Sequence, residues 1–164
     1  MIKPAYPYQY KLYDLINNHP NRSFVFLNPI THFNFFNKNN YYYVSVDKKD
    51  QIVGFFYYSI EPPMDHGGYQ ACNFTMINLS DNRLLFAHDF YHLMVDYIFS
   101  ESSIINSLIF KSNIKNTIIN TYRDFAKRFG HIIKTTETEE KYYIDGALVR
   151  SYIKQKRRQN DSNK

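Results

Sequence analysis

The stretch YYYVSVDKKDQIVGFFYYSI, residues 41–60, limits the fold more than any other part of the chain. Two runs rich in tyrosine, phenylalanine, valine and isoleucine, Tyr41 to Val46 and Ile52 to Ile60, flank the polar turn DKKDQ. β-Branched and aromatic side chains suit a pleated, half-buried surface, and a short polar turn between two such runs closes an antiparallel hairpin. Whatever else the chain forms must pack around this hairpin.

The flanking segments alternate between helical and strand patterns. Residues 8–17 place Tyr10, Leu12, Tyr13, Leu15 and Ile16 at helical spacing before His19-Pro20 ends the run. SFVFLNPITHFNFF, residues 23–36, reads as a loop or short helical turn, because Pro29 and its asparagines break the pattern. After the hairpin, EPPMDHGGYQ is a loop and ACNFTMINLS, residues 71–80, a third strand. A long helix is predicted over about 82–100, with Phe86, Phe90, Leu93, Met94 and Tyr97 as its buried stripe, followed by the strand INSLIFKS, residues 105–112. Residues 115–129 form another amphipathic helix through Ile118, Ile119, Tyr122, Phe125, Ala126 and Phe129, with Gly130 as its C-cap. HIIKTTE and KYYIDGALVRSYIKQ are expected to close the domain as two strands, the second interrupted at Asp145-Gly146. There is no internal repeat and no linker, so one α+β (α/β) domain over 1–155 is the economical reading.

Composition bounds the function classes. A single cysteine, Cys72, excludes an intramolecular disulfide framework and a cysteine-based zinc cluster. The N-terminus lacks the apolar core of a secretory signal and no window reaches the roughly 20 apolar residues that span a bilayer, so a soluble, cytoplasmic protein with no membrane partner is expected. The abundance of Asn, Ile, Lys, Tyr and Phe, with no Trp, points to an AT-rich and even viral genome. Residues 150–164 hold six lysines and arginines against one aspartate, so the first 149 residues sum to zero within the formal net charge of +5. The basic character therefore belongs to a tail, 156–164, expected to be disordered; Lys156, Arg157 and Arg158 could neutralise nucleic-acid phosphates.

The order of elements resembles the GNAT family of acyl-CoA-dependent N-acyltransferases over roughly residues 8–155. DKKDQIVGF looks like the turn entering that family's third strand, and IFKSN followed by a tyrosine-containing helix ending at Gly130 looks like its fifth strand and fourth helix. FAHDFYHLMVDYIF together with NTIINTYRDFAKRFG is similar to a subgroup of GNAT-like proteins carried by bacteriophages, with Asn116, Tyr122 and Gly130 at the matching spacing. The resemblance implies a single domain with a mixed, mostly antiparallel sheet flanked by helices. It also implies acetyl-CoA as co-substrate and an amine as acetyl acceptor.

The resemblance further implies where the coenzyme lies. Its path follows the strand end and helix start at Ile77, Leu79, Arg83, Leu84, Leu85 and Phe86, with Asn116 on the next helix. In the family a glycine-rich loop wraps the pyrophosphate there; here Phe86 and His88 occupy the small-residue positions. Ser80, Asp81 and Asn82 are cap candidates whose oxygens compete with a phosphate for the helix N–H groups. Tyr122 is the candidate acid for the leaving thiolate, since the family's usual tyrosine position is Ala126 here. Glu61 is the candidate base, with Asp65 and His66 as neighbours in the same loop. His88, His92 and Asp96 fall at i, i+4 and i+8 on one helix, which suits a metal pair or, more simply, a polar helix edge; no metal is expected.

Three function classes follow. The first is an N-acetyltransferase acting on an unknown amine. The second is a degenerate GNAT-fold protein that binds a host or viral partner without turnover. The third is a protein that binds or modifies nucleic acid through the basic tail.

Overall fold

The computed structural model describes residues 1–24, 26, 30–31, 36, 39–61, 68–80 and 83–164, with the side chains of Asn21, Phe24 and Arg83 outside that description. Most of residues 23–36 and the loop 62–67, with Asp65 and His66, therefore lie outside the described residues, as do Asp81 and Asn82.

Seven strands form one mixed, mostly antiparallel sheet: β1 (Ile2–Pro4), β2 (Asn40–Val46), β3 (Ile52–Glu61), β4 (Tyr69–Asn78), β5 (Ile105–Asn113), β6 (Gly130–Thr135) and β7 (Glu139–Asp145). Their order across the sheet is β1-β2-β3-β4-β5-β7-β6. Every neighbouring pair is antiparallel except β4 and β5. The helices are α1 (Gln9–Asn17), α2 (Arg83–Leu93), α3 (Ile119–Phe129) and α4 (Gly146–Ser162).

The hairpin forms as its composition requires, and the turn explains its register. The Asp47 carboxylate accepts from the Lys49 and Gln51 amides at 2.8 and 2.9 Å, a side-chain substitute for backbone turn bonds. Asp50 takes φ 60°, a left-handed conformation that Asp tolerates better than most residues.

Because side chains alternate along a strand, the sheet separates two cores. On one face Phe56, Tyr58, Phe74, Met76, Leu108, Phe110, Tyr142 and Ile144 pack against α2, α3 and α4. On the other, Val44, Phe55 and Ile77 pack against Leu12, Tyr13 and Ile16 of α1. A buried bond from the Ser45 hydroxyl of β2 to the Asp89 carboxylate ties α2 to the first face.

Several expectations are corrected. The segment KYYIDGALVRSYIKQ is not one interrupted strand: β7 stops at Asp145, whose carboxylate accepts from the Ala147 amide at 2.9 Å and caps α4. Val149 and Ile153, four residues apart, supply its buried edge. The basic residues 156–162, read as a disordered tail, continue this helix through Ser162. Gly130 is the C-cap of α3, as expected, but at φ 179° it is extended rather than left-handed, and it opens β6. A glycine is required there for space, since a Cβ would stand 1.9 Å from the Tyr143 carbonyl oxygen. The long second helix ends in a π-turn, Met94–Ile98, and α3 begins at Ile119 after a turn in which Asn116 Oδ1 accepts from the Ile118 amide at 3.3 Å. β1 escaped prediction because its three residues, one of them a proline at the sheet edge, carry too little pattern.

Candidate functional site

β4 and β5 are the sheet's one parallel pair, and they stay together only briefly. They pair as Tyr69 with Ile105, Gln70 with Ser107 and Ala71 with Leu108, and the Gln70 side-chain Nε2 donates to the Ser107 hydroxyl at 3.1 Å. Beyond Leu108, no further β4–β5 pair is present among the described residues. A cleft of about 920 Å³ opens there, between Cys72–Met76 of β4 and Ile109–Asn113 of β5. Strand separation leaves the cleft-side backbone N–H and C=O groups of both strands without ladder partners, an edge that a ligand with amide groups can pair with.

A bulge shapes the β4 wall. Tyr57 pairs with Thr75 and Ser59 with Cys72, so Tyr58 alone stands opposite both Asn73 and Phe74. Asn73 takes φ 52° to make the extra residue fit. Its side-chain amide donates to Ser59 Oγ at 2.9 Å, and Ser59 Oγ lies 3.2 Å from Cys72 Sγ. Burial pushes the Cys72 thiol above its ordinary pKa, opposed by the Ser59 hydroxyl and reinforced by the Glu61 carboxylate that hydrogen-bonds it.

The floor toward the first core is aromatic. Phe74 and Phe110 meet across the split at 5.2 Å, and the Tyr122 ring packs on Phe110 at 5.0 Å and on Phe90 at 5.3 Å. Tyr122 is 3% exposed and lines the cleft, and desolvation, with Tyr142 nearby, raises its hydroxyl well above the usual tyrosine value. It therefore holds its proton throughout the neutral range. Behind it, Arg123 Nε and Nη2 donate to Glu140 Oε2 and Oε1 at 2.8 and 2.7 Å, and the Tyr142 hydroxyl donates to Glu140 Oε2 at 2.8 Å. This bidentate pair fixes α3 to β7 and with it the height of Tyr122 over the cleft.

The structure divides the residues predicted from the sequence. Tyr122, Glu61 and Asn116 all line the cleft, with Glu61 at the exposed end of β3 and Asn116 donating to Ser112 Oγ at 3.2 Å. Ile77 and Leu79 turn instead into the α1 core, and Phe86 is buried in the first core, so the side chains of these three are packing groups. Leu84 is 84% exposed at the start of α2 and Leu85 half-buried. The side chain of Arg83 lies outside the described residues. Three residues before α2 the Ser80 amide and hydroxyl both donate to Asn78 Oδ1 at 3.0 Å. That amide is thus already satisfied, and the Phe86 side chain is buried in the first core.

The histidine line on α2 does not gather into a metal centre. His88 is largely exposed, His92 Nδ1 lies 2.8 Å from Asp96 Oδ2, and among the described residues no group of three or more His, Cys, Asp or Glu side chains could hold a metal. Sequence reasoning missed Asn73, Cys72, Lys111, Lys141 and the Arg123–Glu140–Tyr142 network. Strand alternation in LIFKSN does separate Lys111 from Phe110, but nothing in the segment tells that its neighbour strand departs.

Among the described residues no helix is long and apolar enough to cross a membrane. No family model matches the chain, and no curated protein matches it in sequence. Solved structures do match in shape. The aminoglycoside N(6')acetyltransferase of Legionella pneumophila superposes with TM-score 0.64 at 10% identity, covering 93% of this chain and 95% of that one. Spermidine N-acetyltransferase from Vibrio cholerae, solved with CoA and spermine, gives 0.61 at 13% identity, covering 91% and 96%. The GNAT domain of S. lividans PAT gives 0.59 at 8% identity, covering 88% and 89%. The chain has the fold of the GNAT N-acetyltransferases.

Proposed function

We propose that the chain transfers an acetyl group from acetyl-CoA to an amine, with the β4–β5 split as the acyl site. The observation that carries this reading is the split itself, which sets two unpaired strand edges beside a protonated Tyr122. The coenzyme's amide-bearing arm would lie along the free edge of β4, and its pyrophosphate at the start of α2, where Arg83 supplies charge in place of the missing glycines. Asn116 lines the same cleft and would fix the arm from the β5 side.

The chemistry then follows from positions. Glu61 takes a proton from the acceptor ammonium, directly or through water, and the amine nitrogen attacks the thioester carbonyl carbon. The N–C bond forms, the C–S bond breaks, the nitrogen gives its second proton to water as the amide forms, and the leaving thiolate receives the Tyr122 hydroxyl proton. Exchange with solvent returns both residues to their starting states. Release of CoA thiol in the presence of amines tests the reading, and Tyr122→Phe should lower it while sparing coenzyme binding. Arg83→Ala should weaken coenzyme binding by about 1.5–3 kcal/mol, the value of a charge-assisted hydrogen bond.

A second reading, a GNAT-fold binding protein without turnover, is favoured by the bond from the Ser80 amide to Asn78 Oδ1. It is the better one if neither acetyl-CoA nor CoA binds.

A further inference from the structure

Resting on the acetyl-transfer reading, we infer that the acceptor is an amine that also carries an anionic group, a carboxylate or phosphate, which Lys111 and Lys141 hold. These two lysines stand directly opposite each other in the β5–β7 register, and both line the cleft. Phe110 and Tyr142 on the same strands face the aromatic core, so strand alternation sends Lys111 and Lys141 to the opposite face. Like charges directly across a ladder destabilise a sheet. Only one is offset: Lys111 Nζ lies 3.5 Å from Glu139 Oε2, whereas Lys141 makes no ion pair among the described residues.

The position of the pair decides what it can bind. α2, at whose start the coenzyme phosphates are placed, packs on the first face, and Phe74, Phe110 and Tyr122 close the cleft toward that side. The lysines lie on the second face, where exposed Glu61 and Asn73 also border the cleft. An acceptor entering there meets the Glu61 carboxylate on the β3–β4 wall and, on the β5–β7 wall, two ammonium groups with one carboxylate, Glu139, against Lys111, which leaves a net positive charge centred on Lys141. That polarity complements a molecule with an amine at one end and an anion at the other. It opposes a polycation such as spermine, which would bring further positive charge against Lys111 and Lys141.

The test is acetyl-CoA turnover by the full chain with matched primary amines: an aminoalkanoate, an aminoalkyl phosphate, an uncharged alkylamine and spermine. The anionic amines should show a KM at least about tenfold below the other two, consistent with one ion-paired hydrogen bond. Lys141→Glu combined with Lys111→Glu should raise the KM for the anionic amines and remove that preference without raising the KM for acetyl-CoA, while the double arginine variant keeps it. Turnover of spermine or the alkylamine as efficiently as the anionic amines overturns the inference and leaves acetyl transfer standing. A reversal variant that raises the KM for acetyl-CoA instead assigns the lysines to the coenzyme and likewise overturns it. No turnover with any amine removes both readings.

Discussion

Ala71 stands opposite Leu108 in the last pair that joins β4 to β5, and from there the two strands share no partners. Two residues later β4 enters its bulge at Asn73, and one residue after Leu108 β5 presents Ile109 to the cleft. The parallel pairing thus ends where the cleft begins. A continuous ladder would leave no edge for a ligand.

Tyr122 packs between Phe90, Phe110 and Tyr142, and its hydroxyl is pushed above the usual tyrosine value by burial. Replacing it with Phe should keep the ring contacts and thermal midpoint while lowering kcat by roughly 10²–10⁴, the range for general acid catalysis. With the acid's pKa raised, the alkaline fall in kcat should begin above pH 10. A fall between pH 7 and 9 in the wild type would assign the proton to another group.

Asn73 holds φ 52° in a strand, a conformation that costs a β-branched residue more than asparagine. Asn73→Val should destabilise the fold by about 1–2 kcal/mol in urea unfolding, while Asn73→Gly should be near neutral or stabilising. Equal stability of the two variants would show that the bulge does not need the left-handed residue.

Gly130 leaves no space for a side chain, because a Cβ would sit 1.9 Å from the Tyr143 carbonyl oxygen. Gly130→Ala must push β6 off β7 and should cost about 1–3 kcal/mol or more, read by chemical denaturation. A near-neutral result would mean that β6 shifts freely.

Legibility tracked the range of the interactions. The hairpin, the third strand and the amphipathic α3 are encoded by spacing within short windows; the hairpin appears where the pattern puts it, the third strand runs two residues earlier, and α3 starts four residues later. α4 was misread because ALVRSYI offers β-branched and aromatic residues that suit a strand, whereas Val149 and Ile153 at i, i+4 are what the tertiary core selects. Of the candidate site, Tyr122, Glu61 and Asn116 reach the cleft, each carried there by its position in a predicted element or at its end. Where the Ile77 and Phe86 side chains pack could not be read from their neighbours alone. Which face receives each depends on the register of β4 against β3 and on how α2 lies across the sheet.

The Arg123 guanidinium holds Glu140 below the ordinary carboxylate value of 4.5, burial opposes it, and the Tyr142 hydroxyl adds to the lowering. A depressed folded-state value means that this stabilisation is complete above the unfolded value and is lost as pH falls through the folded one. Acidification from pH 5 to pH 2 should therefore lower the wild-type midpoint more than that of Glu140→Gln. At pH 7 the Gln variant should melt about 3–8 °C lower, as expected for breaking a partly buried pair. Parallel acid profiles for the two proteins would contradict the network's role.

The most direct measurement is the thermal midpoint of the full chain during titration with acetyl-CoA and CoA. A ligand that binds only the folded state must stabilise it, by about 2.7 kcal/mol at 100 times its Kd, or roughly 5–10 °C for a chain of this size. Occupancy of the β4–β5 split predicts such a rise with both ligands, reduced in Arg83→Ala and unchanged in Tyr122→Phe. No rise at millimolar acetyl-CoA or CoA would contradict the acetyl-transfer site.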